Sequence, residues 1–144
     1  MLVELTEVVV AVVMVVASVL IHGAGLFWLA RALRLVGAEE SRRHVGLDSP
    51  RAAFDLTAIV LGLFVLHGLE IWGWALVYVT IGAIPDLRTA VYASGFVYAT
   101  IGYDEDLIPE VWRLLVAVEG ITGVLLLGWT TGFFVSVVSR QRGT

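Results

Sequence analysis

Three long apolar stretches dominate this sequence of 144 residues and restrict what it can fold into. They cover 8–30, 56–82 and 114–138, and each is long enough for a helix that crosses a bilayer, which takes about 20 residues. A single segment surrounded by lipid can satisfy its backbone hydrogen bonds only as a helix. The sequence therefore predicts an all-α membrane protein with three transmembrane helices.

The composition fits a membrane protein and disfavours several other classes. Hydrophobic residues make up 59% of the chain, against about 45–50% in soluble domains. The chain has no cysteine, so we expect neither a disulfide nor a thiolate metal site. Its net charge of −4 disfavours nucleic acid as a partner. No nucleophile–base pattern, phosphate-binding loop or metal-ligand spacing is visible, so we expect no enzyme activity and no cofactor.

The arginines predict how the three helices are oriented. Those between the first and second stretches are Arg31, Arg34, Arg42, Arg43 and Arg51. Arg140 and Arg142 follow the third stretch, whereas the segment between the second and third stretches is mainly acidic. Because arginine-rich loops stay on the cytoplasmic side, the N-terminus is predicted outside and the C-terminus in the cytoplasm. We therefore distinguish an extra N-terminal transmembrane helix (1–35) from an arginine-rich cytoplasmic linker (36–54). The linker is expected to control topology, with binding of anionic lipid as the alternative.

A shorter apolar segment lies between the second and third stretches. It runs from Leu87 to Ile101, which is too short to cross the bilayer, and it is interrupted by glycine. A segment of this length at membrane depth is typical of a re-entrant element. Pro85 and Asp86 have the chemistry of a helix start, with Asp86 as the N-cap. We predict a short helix over 86–99.

Five residues after this short helix form the most specific pattern in the chain. They are Thr100, Ile101, Gly102, Tyr103 and Asp104. The pattern resembles the T-V-G-Y-G filter of potassium channels, whose backbone carbonyls replace the water around the ion. Asp104 stands where that family has its second glycine. The flanking sequence, from about residue 55 to residue 140, also resembles small bacterial potassium-channel-like proteins.

The resemblance implies a pore module over 55–144 that assembles as a homotetramer in a bacterial inner membrane. Its parts are an outer helix, a pore helix (86–99), a filter (100–104) and an inner helix (111–140). The carbonyls that hold K⁺ or another monovalent cation are then those of Thr100, Ile101, Gly102 and Tyr103.

Backbone stereochemistry supports a filter at this place. Carbonyls that point the same way require alternate residues in left-handed backbone, which glycine adopts without steric cost. Asp104 either enters that region, at a cost of about 1 kcal/mol, or reorients the outermost carbonyl. Repeated in four subunits, Asp104, Glu105 and Asp106 predict an acidic outer mouth that attracts cations.

Several ionisable side chains lie inside the apolar stretches, where such residues are usually functional or paired. Glu119 is expected to brace the filter from behind, to pair with His67 or another polar residue, or to make a structural hydrogen bond near the outer interface. His67 and Glu70 share a helix face, which predicts a buried contact between helices or a proton sensor. A haem held by His22 and His67 is disfavoured, because no further pattern accompanies the two histidines.

Other residues have two interpretations or a packing role. Gly128 and Gly132 predict either a gating hinge in the inner helix or close helix packing. Thr130 and Thr131 are expected to line the inner cavity, and Tyr92 and Tyr98 to pack around the filter. The first helix is expected outside the pore module, against lipid or a neighbouring subunit.

The leading hypothesis is a subunit of a tetrameric, potassium-channel-like cation channel that contacts membrane lipid and conducts monovalent inorganic cations. The alternative is a non-conducting or non-selective membrane scaffold or accessory subunit that keeps the channel fold. Asp104 is the residue that favours this alternative.

Overall fold

The computed structural model describes residues 2–40, 50–104 and 106–142, and over these residues it is helical and contains no strand. The helices are α1 (Leu2–Glu40), α2 (Pro50–Thr80), α3 (Leu87–Tyr98) and α4 (Arg113–Arg142), with a 3₁₀ turn over Glu110–Trp112. Two predictions concern residues outside this description. They are the part of the linker that contains Arg42 and Arg43, and Glu105 in the acidic run.

Three of the four helices have the length and composition of membrane spans. These spans cover Glu4–Ala32, Ala53–Thr80 and Glu110–Ser139, so the prediction of a helical chain with three helices long and apolar enough to cross a membrane is confirmed. The first two helices are longer than their apolar stretches. Because α1 continues to Glu40 and α2 already begins at Pro50, helix occupies both ends of the predicted linker.

The fourth helix, α3, is short and begins where the sequence predicts. Asp86 has an extended backbone, and its carboxylate accepts a hydrogen bond of 2.9 Å from the backbone N–H of Thr89, which confirms Asp86 as the N-cap. Hydrogen bonds from Thr89 also hold the pKa of Asp86 below its ordinary value. With 12 residues, α3 is about 18 Å long and cannot cross a hydrocarbon core of about 30 Å.

The short helix packs between α2 and α4, and the main core lies around it. Trp74 and Tyr78 of α2, Ala90 of α3 and Leu115 of α4 are fully buried there. The first helix packs against α2 and α4 of its own chain, and a wide apolar face of it stays exposed. The core of the described residues therefore combines all four helices.

Two of the close approaches that depend on glycine lie at Gly25 and Gly123. A Cβ at Gly25 of α1 would lie 2.5 Å from a methyl carbon of Leu66 in α2, at the end of a flexible side chain. A Cβ at Gly123 of α4 would lie 2.2 Å from the backbone oxygen of Tyr98, at the C-terminal end of α3. The second contact is the stricter one, because backbone cannot move aside as a side-chain end can.

We predict that Gly123→Ala separates α4 from the end of α3. Overpacking of a close contact costs about 1–3 kcal/mol, so the melting temperature of the purified protein in detergent is expected to fall. Gly120→Ala is the matched control, because a Cβ there would lie 3.6 Å from the backbone oxygen of Val97, an ordinary contact. Equal melting temperatures for the two variants would contradict this packing.

Candidate functional site

The loop after α3 has positive φ at two positions. Thr100 has φ 58 and Gly102 has φ 121, while no other non-glycine residue of the described chain has positive φ. The N–H of Thr100 bonds to the carbonyl of Val97 and the N–H of Ile101 to the carbonyl of Phe96, both at 2.9 Å. These two bonds form the Schellman motif, which commonly ends a helix with one residue in left-handed backbone, so the positive φ at Thr100 belongs to the end of α3.

Asp104 does not have left-handed backbone. Its φ is not positive, its carboxylate accepts a hydrogen bond of 3.0 Å from the N–H of Asp106, and its carbonyl accepts one of 3.1 Å from Leu107. Asp104 therefore begins a turn, as aspartate commonly does. Of the two predicted behaviours of Asp104, the structure has the reoriented carbonyl and not the left-handed backbone.

The loop is on the outside of the single chain. Thr100, Ile101, Gly102, Tyr103 and Asp104 are all exposed. Beside them, an open groove separates the loop from α4 and is lined there by Val116, Gly120 and Val124. Asp106 of the predicted acidic mouth is exposed as well.

Glu119 ties the short helix to both neighbouring spans. It is fully buried in α4, and its two carboxylate oxygens accept hydrogen bonds of 2.5 Å from Tyr78 of α2 and from Ser94 of α3. Ser94 lies at hydrogen-bonding distance from a second acceptor as well, the carbonyl of Ile71, at 3.0 Å. The partners of Glu119 are thus hydroxyl groups and not His67, and Glu119 supports α3 itself, two turns before the loop.

A second buried cluster contains five polar side chains from all four helices. We call it the polar ring, and its members are His22 of α1, His67 and Glu70 of α2, Tyr98 of α3 and Thr130 of α4. His22, Glu70 and Tyr98 are almost completely buried. His67 and Glu70 both contact another helix through the Tyr98 hydroxyl of α3, and within α2 Nδ1 of His67 lies 3.3 Å from Oε2 of Glu70.

The contacts of the polar ring close on themselves. Nδ1 of His22 lies 2.9 Å from Oε1 of Glu70, and Oε2 of Glu70 accepts a hydrogen bond from the hydroxyl of Tyr98. The same Tyr98 oxygen lies 2.9 Å from Nδ1 of His67. Nε2 of His67 and Nε2 of His22 then lie 2.9 and 3.2 Å from the hydroxyl oxygen of Thr130.

Three members of the ring were not predicted as a site. His22 was considered only as a haem ligand, yet its ring and that of His67 lie side by side, with centroids 5.2 Å apart and no space for a macrocycle between them. Tyr98 was expected to pack around the filter, and its hydroxyl belongs to the ring. Thr130 was expected to line the inner cavity, and its hydroxyl lies at hydrogen-bonding distance from both histidines. The sequence signal that could have indicated these three residues is that each is a polar side chain within a mainly apolar helix.

The predicted hinge glycines are not covered within the single chain. Gly128 and Gly132 are both exposed, and a Cβ at either position has no neighbouring atom within 4 Å. Neither glycine therefore serves close packing among the described residues of one chain.

Comparisons with known proteins add no relative: no family model, no curated protein and no solved structure matches this chain.

We predict that Glu119→Ala loosens α3. The hydroxyl of Tyr78 loses its acceptor, and an unsatisfied buried donor costs about 1–3 kcal/mol, so the melting temperature should fall. Thr122→Val is the matched control on the same helix, because the buried Thr122 hydroxyl bonds only to the carbonyl of Val118 in its own helix. A control as unstable as Glu119→Ala would argue against the proposed support.

Proposed function

We propose that this chain is one subunit of a homotetrameric cation channel whose filter is formed by the backbone carbonyls of residues 100–103. The observation that carries the proposal is an exposed loop with positive φ at Gly102, which leaves the C-terminal end of a short helix. Glycine allows a loop of this kind to turn successive carbonyls toward one side, which is what a dehydrated cation needs.

The position of α3 supports a cation site. The C-terminal end of a helix carries a partial negative charge, and α3 ends immediately before the loop. Non-helical backbone at membrane depth is tolerated only where protein or a water-filled cavity surrounds it. The loop of a single chain is exposed, so further copies have to cover it, and closed rings of identical subunits are the usual solution.

The exposed surface of α4 supports the same assembly. Ile121 and Leu125 are each more than 60% exposed, and both lie on the helix that follows the loop. In a tetramer, α4 is the inner helix. Thr131, Gly128 and Gly132 are then placed to line the cavity below the filter, and the two uncovered glycines suit a hinge.

The acidic residues and the number of free carbonyls determine which ions we expect the channel to pass. Asp104 and Asp106, together with Glu105, give the outer mouth a negative charge that is multiplied by four in the assembly. This charge concentrates cations without choosing among them. Because the carbonyl of Asp104 is engaged by Leu107, four carbonyls per chain remain, and we expect weaker discrimination between K⁺ and Na⁺ than a five-residue filter gives. The acidic side is the outside, and the arginine-rich linker faces the cytoplasm of a bacterial cell.

A second candidate is a non-conducting scaffold or accessory subunit that keeps the channel fold. The specific observation in its favour is the turn at Asp104, which uses both its carboxylate and its carbonyl within the chain. If that turn also closes the outer end of the pore, the assembly holds ions without passing them.

The test is cation flux into liposomes that contain the purified protein. Wild type is expected to pass K⁺, and Gly102→Ala to reduce flux at least tenfold, because φ 121 is strained for any residue with a Cβ. Gly68→Ala is the matched control, since Gly68 lies in α2 without positive φ and its added Cβ meets no atom within 4 Å. Equal flux in both variants would contradict a filter at this loop.

Asp104→Gly separates the two candidate functions. The substitution removes the carboxylate that accepts the Asp106 N–H and restores glycine where the filter signature has it. For a conducting channel, we expect flux in wild type and a higher ratio of K⁺ to Na⁺ flux in the variant. Flux that appears only in the variant would favour the scaffold.

A further inference from the structure

We propose that the polar ring binds one divalent transition-metal ion of the Zn²⁺ class, held by His22, His67, Glu70 and Tyr98. The proposal does not depend on conduction, because the ring lies behind α3 and shares no residue with the loop. It rests on three observations: the proton count of the ring, the position of Thr130, and the distances between the ligand atoms.

The first observation is that the ring lacks one positive charge. It has five contacts between polar atoms, and each contact needs one hydrogen. When Glu70 is ionised, the two neutral histidines, Tyr98 and Thr130 supply one hydrogen each, and one contact then brings two lone pairs together. Such a contact is unfavourable in a buried site. A further proton or a metal ion has to lie between the two atoms of that contact.

The second observation is that Thr130 can hold both histidines in their metal-binding form. Its hydroxyl oxygen lies 2.9 Å from Nε2 of His67 and 3.2 Å from Nε2 of His22, and an oxygen with two lone pairs can accept from both N–H groups. Both Nδ1 atoms are then unprotonated beside Glu70 and Tyr98, and a bound ion would stabilise this form, which without an ion leaves two ring contacts without a hydrogen. Metal-binding histidines are usually held this way, with the second nitrogen donating to a nearby acceptor.

The third observation is the spacing of the ligand atoms. In a tetrahedral zinc site with bonds of about 2.0–2.1 Å, neighbouring ligand atoms are about 3.3 Å apart. Nδ1 of His67 lies 3.3 Å from Oε2 of Glu70 and 2.9 Å from the Tyr98 oxygen, and Nδ1 of His22 lies 2.9 Å from Oε1 of Glu70. Ligand atoms of both histidines and Glu70 lie within 4.8 Å of one another. Three pairs of candidate ligand atoms are therefore already within about 0.4 Å of the tetrahedral spacing.

The donor set and its charge select the class of metal. Two imidazole nitrogens and two oxygens, with no thiolate, suit Zn²⁺ and its neighbours Co²⁺, Ni²⁺ and Cu²⁺. When the phenol proton of Tyr98 leaves to solvent, the ion, one carboxylate and one phenolate sum to zero charge, as a buried site requires. The side chain of His67 is 14% exposed, and this is the side from which an ion can enter.

The bound ion would have a structural role. Its ligands belong to α1, α2 and α3, and Thr130 of α4 orients both histidines, so one ion joins all four helices. A closed set of four protein ligands leaves no position for substrate, which is typical of a structural site. The ion would hold α1 against the remainder of the chain.

The test is titration of chelator-treated protein in detergent with Co²⁺, followed by displacement with Zn²⁺. Wild type is expected to bind one Co²⁺ per chain with the intense visible bands of a tetrahedral site. His22→Gln should bind Co²⁺ at least tenfold more weakly. Removing a group that only supports a metal ligand lowers metal affinity by about 10–100-fold, and removing a ligand itself should lower it at least as much. His44→Gln is the matched control, since His44 is the third histidine of the sequence and lies outside the described residues.

A measurement on wild type alone guards against a variant that does not fold. X-ray absorption of the Zn²⁺ form should show two imidazole nitrogens and two oxygens at about 2.0–2.2 Å. An all-oxygen spectrum, or binding that only His44→Gln weakens, would place the metal elsewhere and overturn the proposal. So would folded wild type that binds no Co²⁺, and the ring would then be closed by a proton.

Discussion

Two buried carboxylates, Glu70 and Glu119, hold this fold together. A carboxylate inside an apolar bundle is costly unless every lone pair facing the interior is satisfied. Here each carboxylate accepts a hydrogen bond from a hydroxyl of the short helix α3: Tyr98 donates to Glu70, and Ser94 donates to Glu119. The requirement to satisfy these carboxylates thus fixes a helix that cannot cross the membrane between two helices that can.

The rest of the arrangement follows from how α3 is held. The hydrogen bonds lie on one side of it, toward α2 and α4, and Gly123 allows the backbone of α4 to reach the carbonyl of Tyr98. The loop begins two residues beyond Tyr98, so its starting point is fixed while the loop itself stays exposed. In the proposed channel, this rigid support places the filter carbonyls. In the proposed metal site, the ion strengthens the same support from behind.

The predictable parts of the structure are those encoded by residues near one another in the sequence. Three apolar stretches gave three spans, an N-cap signal gave the start of α3, and the spacing of His67 and Glu70 gave their contact. The polar ring could not be predicted in the same way, because His22 and Glu70 are 48 positions apart, on different helices. Their contact depends on how α1 packs, and an almost uniformly apolar helix does not specify a packing face.

Asp104 shows the same limit at a shorter range. Its residue type allowed left-handed backbone, with a reoriented carbonyl as the alternative. The structure has a turn, in which the N–H groups of Asp106 and Leu107 donate to the carboxylate and the carbonyl of Asp104. This turn depends on residues beyond the five of the motif.

The central claim is that four copies of this chain surround one axis with residues 100–103 facing it. The most direct measurement is single-particle cryo-electron microscopy of the protein in lipid nanodiscs with K⁺ present, together with the mass of this protein in each particle. We predict the mass of four 15.6 kDa chains, fourfold symmetry, and ion density on the axis between the carbonyls of the four loops. A monomer or dimer, or a tetramer in which the loop faces lipid, would contradict the account.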